Sequence, residues 1–202
     1  MSKSIIIAFS GASYSGKTTT IEKLKSIYQD RLLISDEVIR DKNIDIAELR
    51  NDANKYLEFE IDVIQQKIDN DIRLSKQAQI ENKILFMDRS IYDSMTYFYL
   101  YLTPSKLSNE NLIKFSKFDT YLQKIANMYN NILNCIVLFK PLPIELKEIE
   151  QDQYRGNDLV YLQSVEYNFI KTLTNAHFNK KILHLDVTKD TLDENFIYSF
   201  ND

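Results

Sequence analysis

Tryptophan is absent from this 202-residue chain, cysteine occurs once, and glycine and proline occur three times each. The lone Cys135 cannot close an internal disulfide, which excludes a stapled secreted scaffold and leads us to expect a reducing, cytoplasmic setting. So little glycine and proline rules out collagen-like and low-complexity chains and leaves no flexible linker between domains. No apolar run approaches the roughly 20 residues that a membrane-spanning helix needs, and the amino terminus lacks a basic-then-apolar signal pattern. A membrane or export role is therefore not expected. Nor is there a block of one charge: 25 basic residues stand against 29 acidic ones, a formal net charge of −4. Non-specific nucleic-acid affinity comes mainly from phosphate neutralisation, so this balance argues against a protein that coats a duplex. The two histidines, His177 and His184, have no cysteine or acid near them at metal-ligand spacing and read as structural.

Against these absences stand 44% hydrophobic and 27% charged residues, the composition of an ordinary globular protein, and we expect a single domain over residues 1–202. Five short β-branched runs recur: Ile5 to Phe9, Leu32 to Ile34, Ile84 to Met87, Ile132 to Phe139 and Ile182 to Leu185. Segments with helical periodicity separate them. After the first run, Ile21, Leu24, Ile27 and Tyr28 mark one face, and longer stretches run from about Asn51 to Gln79, Ser108 to Tyr129 and Leu159 to His177. Alternating strands and helices predict an α/β fold, a five-stranded parallel sheet with helices on both faces. Ligands in such sheets lie beyond the carboxyl ends of the strands.

Two of the three glycines, Gly11 and Gly16, occupy the required places of the pattern G-x-x-x-x-G-K-[ST] in GASYSGKT, and the third is Gly156. A strand is expected before the segment and a helix after it, the context in which a P-loop works. The residues Gly11, Ala12, Ser13, Tyr14, Ser15, Gly16, Lys17, Thr18 and Thr19 are expected to cradle the β- and γ-phosphates of ATP, because curled main-chain amides and a helix amino terminus attract an anion. Lys17 adds a point charge. Thr18 is expected to offer its hydroxyl to Mg²⁺.

The third run ends in Asp88, where a strand-tip carboxylate can reach that metal or its water shell, and Arg89 beside it can face a transferring phosphoryl group. Ser90 and Asp93 fit a capping box for the following helix. After the second run the chain reads SDEVIRD, bringing Asp36, Glu37, Arg40 and Asp41 near the same edge. Either Asp36 or Glu37 can serve as the base that takes a proton from an attacking hydroxyl. The stretch from Lys140 to Asp158 opens with Pro141 and Pro143, which stop a strand, and is read as a lid over about 140–158. Near the end of the chain, Thr191 and Glu194 form a second capping box.

The P-loop, DEVIR after the second strand, DRSIYDS after the third and an arginine in a late lid together resemble the P-loop nucleoside and nucleotide kinases, above all the NadR-like AAA-type kinase group. Deoxynucleoside kinases look similar, with ERS in place of DRS and an acid-proline pair where this chain has Glu37 and Val38. The resemblance implies a lid arginine, Arg155, that closes over the donor phosphates, and a glutamine on the long helix after the second strand, Gln65 or Gln66, that meets a substrate base. It implies phosphoryl transfer from ATP with Mg²⁺ to a small-molecule acceptor such as a nucleoside or nucleotide. An ATP-hydrolysing binding module and a polynucleotide end kinase are the alternatives. A regulatory GTPase is disfavoured, because KPLPIELK follows the fourth strand where an N-K-x-D segment would be needed.

Overall fold

The computed structural model describes residues 4–12, 15–37, 46–140 and 159–187. Strand β1, Ile6–Ser10, leads to helix α1, Lys17–Tyr28, and to β2, Leu32–Ser35. The short α2, Ile46–Leu49, precedes the long α3, Ala53–Glu81, and β3 follows over Ile84–Asp88. Helices α4, Ile91–Tyr101, and α5, Asn109–Ile132, lead to β4, Cys135–Phe139. Helix α6, Leu159–Asn175, and β5, Lys181–Leu185, complete the described fold. The fourth apolar run divides between two elements: its first residue closes α5, and only Cys135 onward joins the sheet.

All five strands are parallel, in the order β2-β3-β1-β4-β5. The central strands are apolar on both sides because both faces are covered. On one face Ile6, Ala8, Leu85, Met87, Ile136 and Leu138 pack under α3, α4, α5 and α6. On the other Ile7, Phe9, Phe86 and Val137 meet Ile21, Leu24 and Tyr28 of α1. Strand β1 lies between β3 and β4, so the chain leaves it where the strand order reverses, the usual position of a ligand crevice in an open sheet. Phe9 is in register with Asp88, which sets the β3 tip beside the exit of β1.

Helix α3 rises about 44 Å at 1.5 Å per residue. Asp52 caps its start by accepting from the amides of Asn54 and Lys55 at 3.0 and 3.2 Å, and Asn82 ends it in a left-handed turn, φ 52°. A buried polar cluster ties the helix down. Lys67 Nζ donates to Asp71 at 2.9 Å and to the Ser35 hydroxyl at 3.0 Å, while the Tyr129 hydroxyl donates to Asp71 at 2.6 Å. The cluster joins α3 to the end of β2 and to α5, and so fixes where the chain enters the segment containing Glu37.

Candidate active site

Each glycine of the phosphate loop answers a specific constraint. Gly11 has φ 135°, and a Cβ there would come 2.7 Å from the carbonyl oxygen of Phe139, so the neighbouring strand leaves no room for a side chain. Gly16, φ 85°, is the left-handed residue from which α1 starts. Lys17 folds over the loop, donating to the carbonyls of Gly11 and Ala12 at 2.9 and 2.6 Å and to the Ser15 hydroxyl at 3.1 Å. Burial, and then the positive charge of Arg89, push its ammonium down to about 7 despite the opposing pull of Asp93, Asp88 and Glu37. Lys17 and Arg89, both turned onto loop carbonyls, are like charges side by side, a repulsion that an anion between them would relieve.

Ala12 is buried against Leu162 and Val165 of α6, while Thr18 and Thr19 lie exposed on the first turn of α1. Ser13 and Tyr14 fall outside the described residues.

Asp93 closes the capping box of α4, accepting from the Ser90 amide at 2.9 Å, as the sequence pattern suggests. It does more. The same carboxylate accepts from the Ser10 hydroxyl at 2.5 Å and from the Gly11 amide at 3.3 Å, so the helix cap also holds the root of the phosphate loop.

At the tip of β3, Asp88 is 2% exposed. Arg89 follows in a left-handed conformation, φ 68°, with its amide donating to the Phe9 carbonyl at 2.9 Å. Its guanidinium donates to the Gly11 carbonyl and to the Tyr97 hydroxyl, each at 3.2 Å, and its Nε lies 2.5 Å from Glu37 Oε1. Burial works against this charge, but Glu37 and other neighbours outweigh it and hold the guanidinium well above its ordinary value. Of the two candidate bases, Glu37 is the one that turns inward. Asp36 is exposed.

Glu37, Asp88 and Arg89 line one pocket together with Glu60, Val63 and Lys67 of α3 and Ser94 and Tyr97 of α4. The pocket abuts the loop through Arg89. Gln65 and Gln66 do not line it: both are exposed, and Gln66 donates to Asp62 on its own helix and borders a shallow outer groove with Asp36 and Asn70. A 3.6-residue period explains the difference, since Tyr56, Glu60, Val63 and Lys67 share the inner face and positions 65 and 66 point away. The sequence carried that signal, because Glu60 and Lys67 fall in phase with Leu57, Ile64 and Ile68. Arg40, Asp41, Arg155, Gly156 and the second capping box at Thr191 and Glu194 lie outside the described residues, as do positions 141–158 of the lid.

Among the described residues no three of histidine, cysteine, aspartate and glutamate gather as a metal cage. Thr18 and Asp88, the two residues expected to hold Mg²⁺, carry hard oxygens of the kind this cation takes when phosphates supply further ligands.

A family model described as an AAA domain matches residues 6–189. The chain belongs to this family. Its fold is that of the P-loop NTPases, and solved structures of similar fold include two of NadR and one kinase. NadR in complex with NR superposes with a TM-score of 0.61 at 15% identity, over 98% of this chain and 49% of that one. NadR with NAD and AMP-PNP gives 0.58 at 16%, over 98% and 48%. Deoxyadenosine kinase from M. mycoides with bound dATP gives 0.61 at 14%, over 98% and 100%. This AAA domain thus spans about half the length of the NadR chains. No curated protein matches it by sequence.

Proposed function

We propose that this AAA domain transfers the γ-phosphoryl group of ATP to a hydroxyl of a nucleoside, nucleotide or related small molecule. The observation that carries the reading is the Glu37–Arg89 pair, set in a pocket that opens beside the phosphate loop. A hydrolase needs only the loop and a water; a largely shielded carboxylate that lines a pocket suits a second substrate. The neighbours support the same reading, since one is a deoxyadenosine kinase and another holds NR.

In this reading the loop amides and Lys17 hold the β- and γ-phosphates, with Lys17 leaving the loop carbonyls for the anion. Mg²⁺, held by Thr18 and Asp88 with the phosphates, would neutralise charge on the transferring group. Glu37 accepts the proton of the acceptor hydroxyl as its oxygen bonds to the γ-phosphorus. The bond from that phosphorus to the β–γ bridging oxygen breaks, and ADP leaves with the electron pair. Arg89 orients Glu37 and faces the phosphoryl oxygens, where positive charge lowers the barrier. Arg155 is assigned the closing role over the donor.

Incubation with Mg-ATP and a panel of nucleosides and nucleoside monophosphates tests the assignment. ADP release should depend on an acceptor and fall at least about 100-fold in Glu37→Gln, with the acceptor still bound. Release that ignores every acceptor, or a Glu37→Gln variant with full turnover, sinks the reading.

A further inference from the structure

Glu60 sits on the inner face of α3 with 4% of its surface exposed, in the pocket that also holds Glu37 and Arg89. A carboxyl this deep requires a partner, and what surrounds it is incomplete. The Tyr56 hydroxyl and the Arg50 guanidinium are near enough to draw its proton affinity down, although burial dominates and raises it to about 7. Yet the Tyr56 hydroxyl and Arg50 Nε are both shut off from solvent and make no hydrogen bond of proper geometry. Tyr56 itself is only 1% exposed.

The walls beside this cluster are aromatic. The rings of Tyr97 and Tyr101 are parallel within 4°, with centroids 6.4 Å apart, and the Arg50 guanidinium lies 3.5 Å over Tyr101. The Tyr101 hydroxyl shares a hydrogen bond of 2.6 Å with Tyr161 of α6. An aromatic wall at Tyr97, a buried acceptor and two buried donors that make no well-formed hydrogen bond suit a flat ring with a polar edge.

We propose that Glu60, with Arg50 beside it, reads the ring edge of the acceptor, and that this acceptor is a nucleoside whose ring carries an NH₂ group next to a hydrogen-bond acceptor. This deepens the kinase assignment and rests on it for the word acceptor. Arginine only donates and a carboxylate only accepts, so together they match an edge that offers one acceptor and one donor. Replacing the amino group by a carbonyl sets acceptor against acceptor at the buried Glu60, the kind of mismatch a polar site rejects most strongly.

Two matched pairs test this, adenosine with inosine and cytidine with uridine, each differing by an amino group exchanged for a carbonyl. Binding to the full chain is measured by calorimetry at pH 8, where Glu60 is ionised. The amino member of at least one pair should bind roughly 10- to 100-fold more tightly. In Glu60→Gln the ratio should fall to within about threefold, because the amide can turn its NH₂ toward a carbonyl. Arg50→Met, at a half-buried position, should shrink the ratio likewise and covers the case in which Glu60→Gln fails to fold by circular dichroism. In turnover, Glu60→Gln should raise KM with kcat little changed, whereas Glu37→Gln lowers kcat. Equal binding within both pairs, no binding by any of the four, or a preference that survives both substitutions overturns the proposal. An amino preference without phosphoryl transfer from ATP would leave ring reading intact and remove the kinase.

Discussion

At Arg89 the backbone is left-handed, φ 68°, a conformation that costs a residue with a side chain on the order of 1 kcal/mol or more. Glycine would relieve the strain, but only a guanidinium can meet Glu37, the Gly11 carbonyl and the Tyr97 hydroxyl at once. Lysine keeps the charge and loses the fork. Arg89→Lys should therefore lower kcat by about 100-fold or more while the melting temperature moves by only a few degrees, and kcat within threefold of the parent would remove Arg89 from the transfer step. Glu60 gives a second test, on stability. Its folded-state pKa of about 7 lies above the ordinary 4.5, so between those values the folded chain holds a proton that the unfolded chain releases. The stability it contributes is complete below about pH 4.5 and is lost as pH rises through 7, by an amount on the order of 3 kcal/mol. Lys67, Arg89, Glu37 and Tyr97 face the same pocket, and Arg50 and Tyr56 act on Glu60 directly, so the comparison must be with a variant in which only this group changes. Urea melts of the parent and Glu60→Gln, taken across that window, should show the variant gaining on the parent as pH rises. A constant difference would mean that Glu60 does not titrate there.

Helix α4 and helix α3 show what a sequence does and does not disclose about a site. The capping box of α4 was legible, because Ser90 and Asp93 stand at the right spacing ahead of an apolar run. Its second use was not, since Ser10 and Gly11 reach Asp93 only after β1 and β3 pair. Asp93→Ala leaves the Ser10 hydroxyl and the amides of Ser90 and Gly11 short of a partner, and should cost roughly 2–4 kcal/mol. A plain cap would lose stability and nothing else. Here affinity for ATP should fall as well, because the root of the phosphate loop loses its anchor; a stable-enough variant with unchanged ATP affinity would reduce Asp93 to a cap. On α3 the existence and length of the helix were evident from its periodicity, whereas the resemblance pointed to Gln65 or Gln66. Helical phase decides otherwise: the residues in line with the apolar stripe, Glu60 and Lys67, face the pocket, and the glutamines face water. Between Asp36 and Glu37 spacing could not choose, because adjacent residues leaving a strand point to opposite sides and only the fold sets which side holds Arg89.

Across the molecule, the five strands and the P-loop follow from local pattern, but the order β2-β3-β1-β4-β5 does not, because it is set by which helices cover which face. That order puts the loop on the central strand, between β3 with its acid and arginine and β4 with the carbonyl that excludes a side chain at Gly11. A ligand bound there would touch residues from β1, α1 and the ends of β2 and β3, and its binding energy would be shared by three of the five strands. By mass action a nucleotide at 100 times its Kd adds about 2.7 kcal/mol to stability. For a domain of this size each kcal/mol moves Tm by about 2–4 °C, so saturating Mg-ATP should raise it by roughly 5–10 °C. Lys17→Ala should keep its secondary structure by circular dichroism and lose most of that rise, since the anion then meets amides without the ammonium. If the parent protein shows no rise with Mg-ATP or any other purine or pyrimidine triphosphate, the two buried cations beside the loop do not serve a polyphosphate, and the assignments of Lys17, Asp88 and Arg89 fall together.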